Sequence, residues 1–357
     1  MKVRYIILSL TVIIAVVGVG LAYYVINDSL VRFQWQDILS QDFFSSFSQP
    51  VVQPKQPKAP EEVSAIFTGD IMLSRVVAQK IKEHGLAYPF LQVGDYLKSA
   101  DFVFGNLETP LTPGREIESG EMVFRSEPDL AQVLSDYNFQ VLSLANNHTP
   151  NFGEQGLLDT FNYLEQAGIK YAGAGRNNTQ AYAPAYFEKQ GIKFAFLAYT
   201  YPGIVPQNYE AAGSRAGTAF MNTAMMVAAV KEAKNQDYLV VVSMHAGDEY
   251  TATPNRQQVD FAHTAVKAGA DLVIGHHPHW VQSAEIYQGK YIFYSLGNFV
   301  FDQMWSQATR EGLALKITFD SAGVKKIEPR AVLISDYAQP SLLEGAAEAE
   351  IVQRLRL

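Results

Sequence analysis

The residues most able to do chemistry in this chain are Gly275-His276-His277-Pro278-His279-Trp280. Three of the protein's seven histidines fall in that segment. It follows the apolar run Asp271-Leu272-Val273-Ile274, so it reads as the loop at the end of a buried strand. His277 and His279 are spaced to converge on one metal ion, since neutral imidazole is the commonest protein metal ligand. His276 points the other way from its two neighbours and reads as a packing or supporting group.

Other candidates have the same setting, each just after a strand-like run. Asp70 follows Val63 to Thr68 and could be a metal carboxylate or the N-cap of the next helix. Asn106 and Glu108 follow Phe102-Val-Phe104; Glu108 could bridge metal ions or sit in an exposed turn. Asn147-His148 follows Gln140 to Leu144, offering an amide oxygen for a hard ion beside a histidine able to give a proton to a leaving oxygen. His245 ends the run from Tyr238 and is a ligand candidate, with Glu249 nearby as a supporting or substrate-contacting group. His84 and His263 lie in predicted helices away from this edge and read as structural or surface residues. With no cysteine, the donors are oxygen and nitrogen, which suits Mn, Fe, Zn or Mg. One or two such divalent ions would be apt for hydrolysis.

The elements that must position these residues alternate between apolar strands and amphipathic helices. Helices are expected near Arg75 to His84, Asp129 to Asp136, Glu154 to Ala167, Thr223 to Lys234 and Arg256 to Ala268, with Gly168 and Gly269 as stops. Wholly apolar strands between them imply an α/β fold whose sheets are covered by helices. Ligands in such folds bind beyond the carboxyl ends of the strands.

The N-terminal part is different. Lys2 and Arg4 precede an uncharged apolar run, Tyr5 to Ile26, long enough as a helix to span a bilayer. It has no good cleavage site, and its flanking charges predict an uncleaved anchor with the bulk of the chain outside. Residues 27–62 read as a juxtamembrane segment and a Pro-rich linker. The net charge of −8 argues against broad nucleic-acid binding.

Six ordered motifs carry a family resemblance: Gly69-Asp70, Gly105-Asn-Leu-Glu108, Asn146-Asn-His148, His245-Ala-Gly-Asp-Glu249, Gly275-His-His-Pro-His279 and Tyr294-Ser-Leu-Gly-Asn-Phe299. Over roughly residues 63–336 the chain resembles the CapA/PgsA family of capsule and poly-γ-glutamate synthesis proteins, a branch of the calcineurin-like metallophosphoesterases. The resemblance implies a four-layer α/β/β/α sandwich over 63–336; residues 337–357, beyond it, read as a C-terminal helical tail. It implies metal ligands at Asp70, Glu108 (or Asn106), Asn147, His245, His277 and His279, with His148 assisting the leaving group. Arg125 and Arg176, flanked by polar residues and glycine, are the candidates to face the ligand. Three departures stand out: Met72 replaces a histidine of the wider Asp-x-His pattern, Asn106-Leu-Glu108 stands in place of the usual Gly-Asp-x-x-Asp second motif, and Asn151 replaces an acidic residue. The expected function is envelope exopolymer production by a metal-dependent hydrolase. The alternative is a non-catalytic subunit of a membrane polymer synthase and export complex. Either acts at a membrane, beside synthase or export subunits, on an anionic polymer or its precursor.

Overall fold

The computed structural model describes residues 62–357. The expected membrane anchor and most of the linker lie outside the described residues. Strands β1 (Val63–Ile71), β2 (Phe102–Leu107), β3 (Phe139–Ser143) and β4 (Lys170–Ala172) begin one sheet. Strands β6 (Ala185–Lys189), β7 (Ile192–Thr200), β9 (Leu239–His245), β10 (Leu272–His276), β11 (Ala284–Tyr287) and β12 (Lys290–Phe293) form a second. The chain then returns to the first sheet as β13 (Asn298–Val300), β14 (Glu311–Asp320), β15 (Gly323–Ser335) and β16 (Gln339–Leu342). Two short strands, β5 (Ala174–Gly175) and β8 (Gly217–Thr218), pair with each other.

The first sheet has the order β16-β15-β14-β1-β2-β3-β4, with β13 also beside β1; the second has the order β11-β12-β10-β9-β7-β6. The strands that carry the candidate residues are parallel neighbours: β1 with β2, β2 with β3, and β9 with β10. Parallel pairing brings their carboxyl ends to one edge.

Three apolar cores explain why these strands read as continuous apolar runs. The middle core lies between the sheets, where Phe67, Phe102 and Phe104 meet Phe194, Phe196, Val241 and Ile274. Phe104 stacks on Phe196 with centroids 5.4 Å apart. The alternate residues of the first sheet, such as Ile66, Val103 and Leu142, pack beneath helices Arg75–His84, Leu130–Asp136 and Gly153–Gln166. Those of the second sheet, such as Leu197, Val240 and Val242, pack beneath helices Thr223–Asn235 and Arg256–Ala268. Each fully buried large apolar side chain contributes about 1.5–3 kcal/mol. The described chain is thus a mixed α/β fold layered as helices, sheet, sheet and helices.

Local signals set the helix ends. Asn255 and Gln258 form a reciprocal capping box, and Gly269 ends that helix at φ 119°. The sequence reading closes the domain at residue 336 and makes 337–357 a helical tail. In the structure Gln339–Leu342 is instead strand β16, hydrogen-bonded to β15. Only Gly345–Val352 is an α-helix, and its Ile351 is buried in the core between the sheets.

Candidate metal centre

The two sheets contribute jointly to the site. Asp70 on β1 is in register with Asn106 on β2 and with Asn298 on β13. His245 ends β9 in register with His276 at the end of β10. The glycines of the motifs are required by close packing. A Cβ at Gly69 would lie 2.0 Å from the Gly297 carbonyl oxygen, and one at Gly275 would lie 1.9 Å from that of Tyr294.

Asp70 is fully buried. Its Oδ1 accepts from Asn106 Nδ2 at 2.8 Å, its Oδ2 accepts from the His277 backbone N–H at 3.2 Å, and His279 Nδ1 lies 3.4 Å from Oδ2. Asn106 is therefore a bracket. Its Nδ2 also contacts His245 Nδ1 at 3.2 Å, and its Oδ1 accepts from Asn146 Nδ2. Asn146 pins the Asn-Asn-His loop: it donates to the Leu107 carbonyl and accepts from the backbone N–H groups of His148 and Thr149. That leaves Asn147 free to place Oδ1 2.8 Å from His245 Nε2.

Glu108 sits among these groups with His245 Nε2 and His148 Nε2 each 3.9 Å from its Oε1. It is fully buried, and neither carboxylate oxygen has a hydrogen-bond partner among the described residues. Burial, followed by the charges of Asp70 and Glu249, pushes its carboxyl well above the ordinary range, against a weaker opposing pull from Arg75. An orphan carboxylate costs several kcal/mol unless something compensates it. His277 Nδ1 is likewise buried without a partner. Burial, and then the charge of His279, takes His277 down to about 3. Burial also holds His245 well below its ordinary value. Neutral imidazoles beside an unpartnered carboxylate are the donor set of a divalent cation site. Asp70, Glu108 and His245 form one group with ligand atoms within 4.8 Å of one another, and Glu249, His277 and His279 form another.

His148 is held from two sides. Its ring stacks on Phe124 with centroids 3.8 Å apart, and its Nδ1 lies 2.9 Å from Asn151 Oδ1. That oxygen also accepts from the Phe124 backbone N–H at 2.8 Å, which fixes the amide orientation. In the neutral ring Nδ1 therefore carries the proton, and Nε2 faces Glu108 with a lone pair. Burial takes His148 down to about 4.

The remaining expectations divide. His276 is engaged elsewhere than with the candidate ligands, with Nε2 3.2 Å from the Thr68 carbonyl and Nδ1 3.4 Å from Ser243 Oγ. Met72 is buried in the first sheet's outer core, and its sulfur accepts from the Ser74 N–H. His84 stacks on Tyr88, and His263 pairs with Glu285. Arg125 and Arg176 do not fit their expected place facing the ligand. Arg125 is bound to the Thr112 carbonyl and Glu127. Arg176 is bound to Glu165 and Asn162 of helix Gly153–Gln166 and lies over Phe161. Both are anchored by their immediate surroundings, which the flanking polar residues and glycine do not reveal.

The basic residue that the structure does bring to the site is Arg75. It lies over Phe124 at 4.6 Å, donates to the Glu121 carbonyl and pairs with Asp302. Asn298, which accepts from His279 Nδ1 at 2.9 Å, is also a finding of the structure. Asn298 lies inside the Tyr294–Phe299 motif, so its position was signalled; nothing local marks Arg75. Backbone strain collects here too: Arg75, Tyr250, His277 and His279 all have φ between 51° and 98°.

The site's residues fall within a match to the family model described as bacterial capsule synthesis protein PGA_cap, which covers residues 64–303. The chain is 34% identical over 269 residues to the PGA biosynthesis protein CapA of Bacillus subtilis (strain 168), covering 74% of this chain and 70% of that one. It is 34% identical over 271 residues to the capsule biosynthesis protein CapA of Bacillus anthracis, covering 73% of this chain and 65% of that one. A probable polyglutamine synthesis accessory protein of Mycobacterium tuberculosis (strain ATCC 25618 / H37Rv) is 31% identical over 287 residues, covering 68% and 75%. Among solved structures, TT1561 of Thermus thermophilus aligns at 10% identity over 73% of this chain and 100% of that one, with a TM-score of 0.42. The extent of the model match and these identities agree with the ordered motifs at the strand ends: the chain belongs to the bacterial capsule synthesis protein family PGA_cap.

Proposed function

We propose that this chain is a membrane-anchored, extracytoplasmic metal-dependent hydrolase with a metallophosphoesterase-type α/β/β/α domain. It acts on a phosphoester or related bond in an anionic envelope polymer, of the capsule or poly-γ-glutamate kind, or in its precursor. The observation that carries the chemistry is Glu108, a buried carboxylate with both oxygens unpartnered between His245 and His148. Anchor and linker are inferred from the apolar run Tyr5 to Ile26 and the prolines that follow. Neighbouring synthase or export subunits would supply the polymer, and the acidic chain makes a nucleic acid a poor partner.

Asp70, Glu108, Asn147, His245, His277 and His279 would hold a divalent metal, as one or two ions. When bound, it supplies the positive charge that polarises a phosphoryl group and allows an acidic domain to take an anionic substrate. The chain's own residues do the rest. Asn106 and Asn298 fix the orientation of Asp70 and His279. Asn151 and Phe124 hold His148 so that Nε2 faces the site. With its pKa near 4, His148 is neutral around pH 7, so Nε2 can take a proton from the attacking water and then give it to the leaving oxygen, which returns the ring to its neutral form.

The test is turnover of small phosphomonoesters and diesters by the full-length protein with Mn²⁺, beside elemental analysis of bound metal. His148→Ala is expected to lower turnover by about 10²–10⁴-fold while the metal content is retained. Undiminished turnover in that variant removes the role given to His148. No bound metal and no turnover in the wild type, with partner assembly intact, would favour the non-catalytic subunit, a reading that Met72's place in the apolar core already supports.

A further inference from the structure

The second of the two ligand groups differs from the first in where it lies. Asp70, Glu108 and His245 are completely buried, whereas the Glu249 side chain is 38% exposed beside the buried His277 and His279. The sequence reading gives Glu249 only a supporting or substrate-contacting place. It also leaves one metal position short of a ligand, because Met72 stands where a histidine is expected. In the structure Met72 does not reach the site at all; it is part of the first sheet's outer core.

Three observations bear on Glu249. First, the orientation of His279 is fixed. Asn298 Nδ2 donates to the Thr309 carbonyl at 2.8 Å, so Asn298 Oδ1 is the acceptor that meets His279 Nδ1. The His279 proton is then on Nδ1, and Nε2 keeps its lone pair. That Nε2 lies 4.0 Å from Glu249 Oε1. Second, His277 is buried, and its Nδ1 has no hydrogen-bond partner among the described residues. Third, the two loops are held together in strained conformations. Tyr250, next to Glu249, has φ 60° and donates its backbone N–H to the Pro278 carbonyl at 2.9 Å, between His277 at φ 98° and His279 at φ 58°. Strain of this kind persists where the surrounding structure over-determines it, and it gathers at ligand-binding sites.

We infer that Glu249 is a metal ligand, which with His277 and His279 forms an outer cation position distinct from the inner one at Asp70, Glu108 and His245. The inference rests on the metal-centre reading above. The outer position takes its carboxylate from the His245–Tyr250 loop in place of the histidine that residue 72 does not supply. Because that carboxylate is solvent-exposed and long-chained, the outer position is the weaker and more exchangeable of the two. The oxygen and nitrogen donors suit Mn²⁺ or a similar divalent ion.

The experiment is Mn²⁺ binding to the full-length, chelator-stripped protein, by equilibrium dialysis with elemental analysis and by calorimetry. Wild type is compared with Glu249→Gln and with Asp248→Asn, a neighbouring exposed carboxylate. The wild type is expected to bind two ions with unequal affinities. Glu249→Gln should weaken the looser one by at least about tenfold, the scale on which even loss of an orienting partner is felt, and leave the tighter one unchanged. Asp248→Asn should leave both unchanged. Because Glu249 is on the surface, unchanged circular dichroism is expected to accompany the loss. Two ions of unchanged affinity in Glu249→Gln would overturn the assignment of Glu249 while leaving the metal centre standing. The same loss in both variants would reduce the effect to general surface charge and overturn it too. A single ion in the wild type would remove the outer position, and none would remove the metal centre with it.

Discussion

Asp271 and Glu108 are both buried carboxylates, and the fold deals with them in opposite ways. Asp271, at the start of the segment leading into β10, has its Oδ2 2.8 Å from Lys234 Nζ and 2.9 Å from the Val240 N–H. Its Oδ1 lies 2.8 Å from Lys290 Nζ. The carboxylate ties helix Thr223–Asn235, β9 and β12 together, and every part of its charge is answered by the protein. Glu108, just beyond the carboxyl end of β2 in the other sheet, has no hydrogen-bond partner on either oxygen among the described residues. A chain that can neutralise one buried acid with two lysines has no physical difficulty in doing so for another. Asp271 therefore braces the amino end of β10 from within the protein, whereas Glu108, beyond the carboxyl end of β2 in the other sheet, is left for the cation proposed above.

The largest effect that can test this contrast is expected from Asp271→Ala. It leaves two ammonium groups and a backbone N–H without their acceptor and should cost about 3 kcal/mol, read from urea denaturation of the full-length protein. A loss below about 0.5 kcal/mol would erase the contrast from the structural side.

Glu108→Gln should act in the opposite direction in metal-free protein. The folded Glu108 carboxyl lies well above the ordinary value of 4.5. As pH rises past that value the unfolded chain releases this proton first, so its contribution to stability is complete below pH 4.5 and declines above it. The variant removes that decline. Its stability advantage over wild type should therefore grow by up to about 1.4 kcal/mol per pH unit until the folded group itself ionises. Denaturation at about pH 5, 6 and 7 after chelation checks this; a gap independent of pH would mean that Glu108 has a compensating partner in solution.

Lys234→Met should have the smallest effect, about 1 kcal/mol. Lys290 remains on the other oxygen, and Lys234 is 34% exposed, so solvent screens part of its charge. The same denaturation series measures it, and a cost equal to that of Asp271→Ala would show that the two lysines are not the shared support described.

The structure agrees with the sequence reading wherever the signal is local. The helices at Arg75–His84 and Arg256–Ala268 begin and end as their apolar spacing and glycine stops require. The apolar strands through Phe194, Val241 and Ile274 are equally plain, because burial on both faces leaves no polar alternation. Strand β15 was not legible. It is half-exposed, carries Lys325, Lys326, Glu328 and Arg330, and contains Pro329. The edge strand β16 depends on β15 and was missed with it.

Which residue types could do the chemistry, and that they lie where strands end, can be read along the chain, because strand periodicity and turn residues are short-range properties. The sequence also sets His276 apart from His277 and His279. How those residues meet depends on the packing of the two sheets against each other. Asp70 and the His277 N–H are 207 positions apart and belong to different sheets, and their contact exists because the inner faces of those sheets share one core. The same packing brought Arg75 to the site, left Arg176 on its helix, and set Glu249 beside His279. It also isolated Glu108 from every hydrogen-bonding group of the described chain, which no local pattern can encode, since an unmet charge is a property of everything around it.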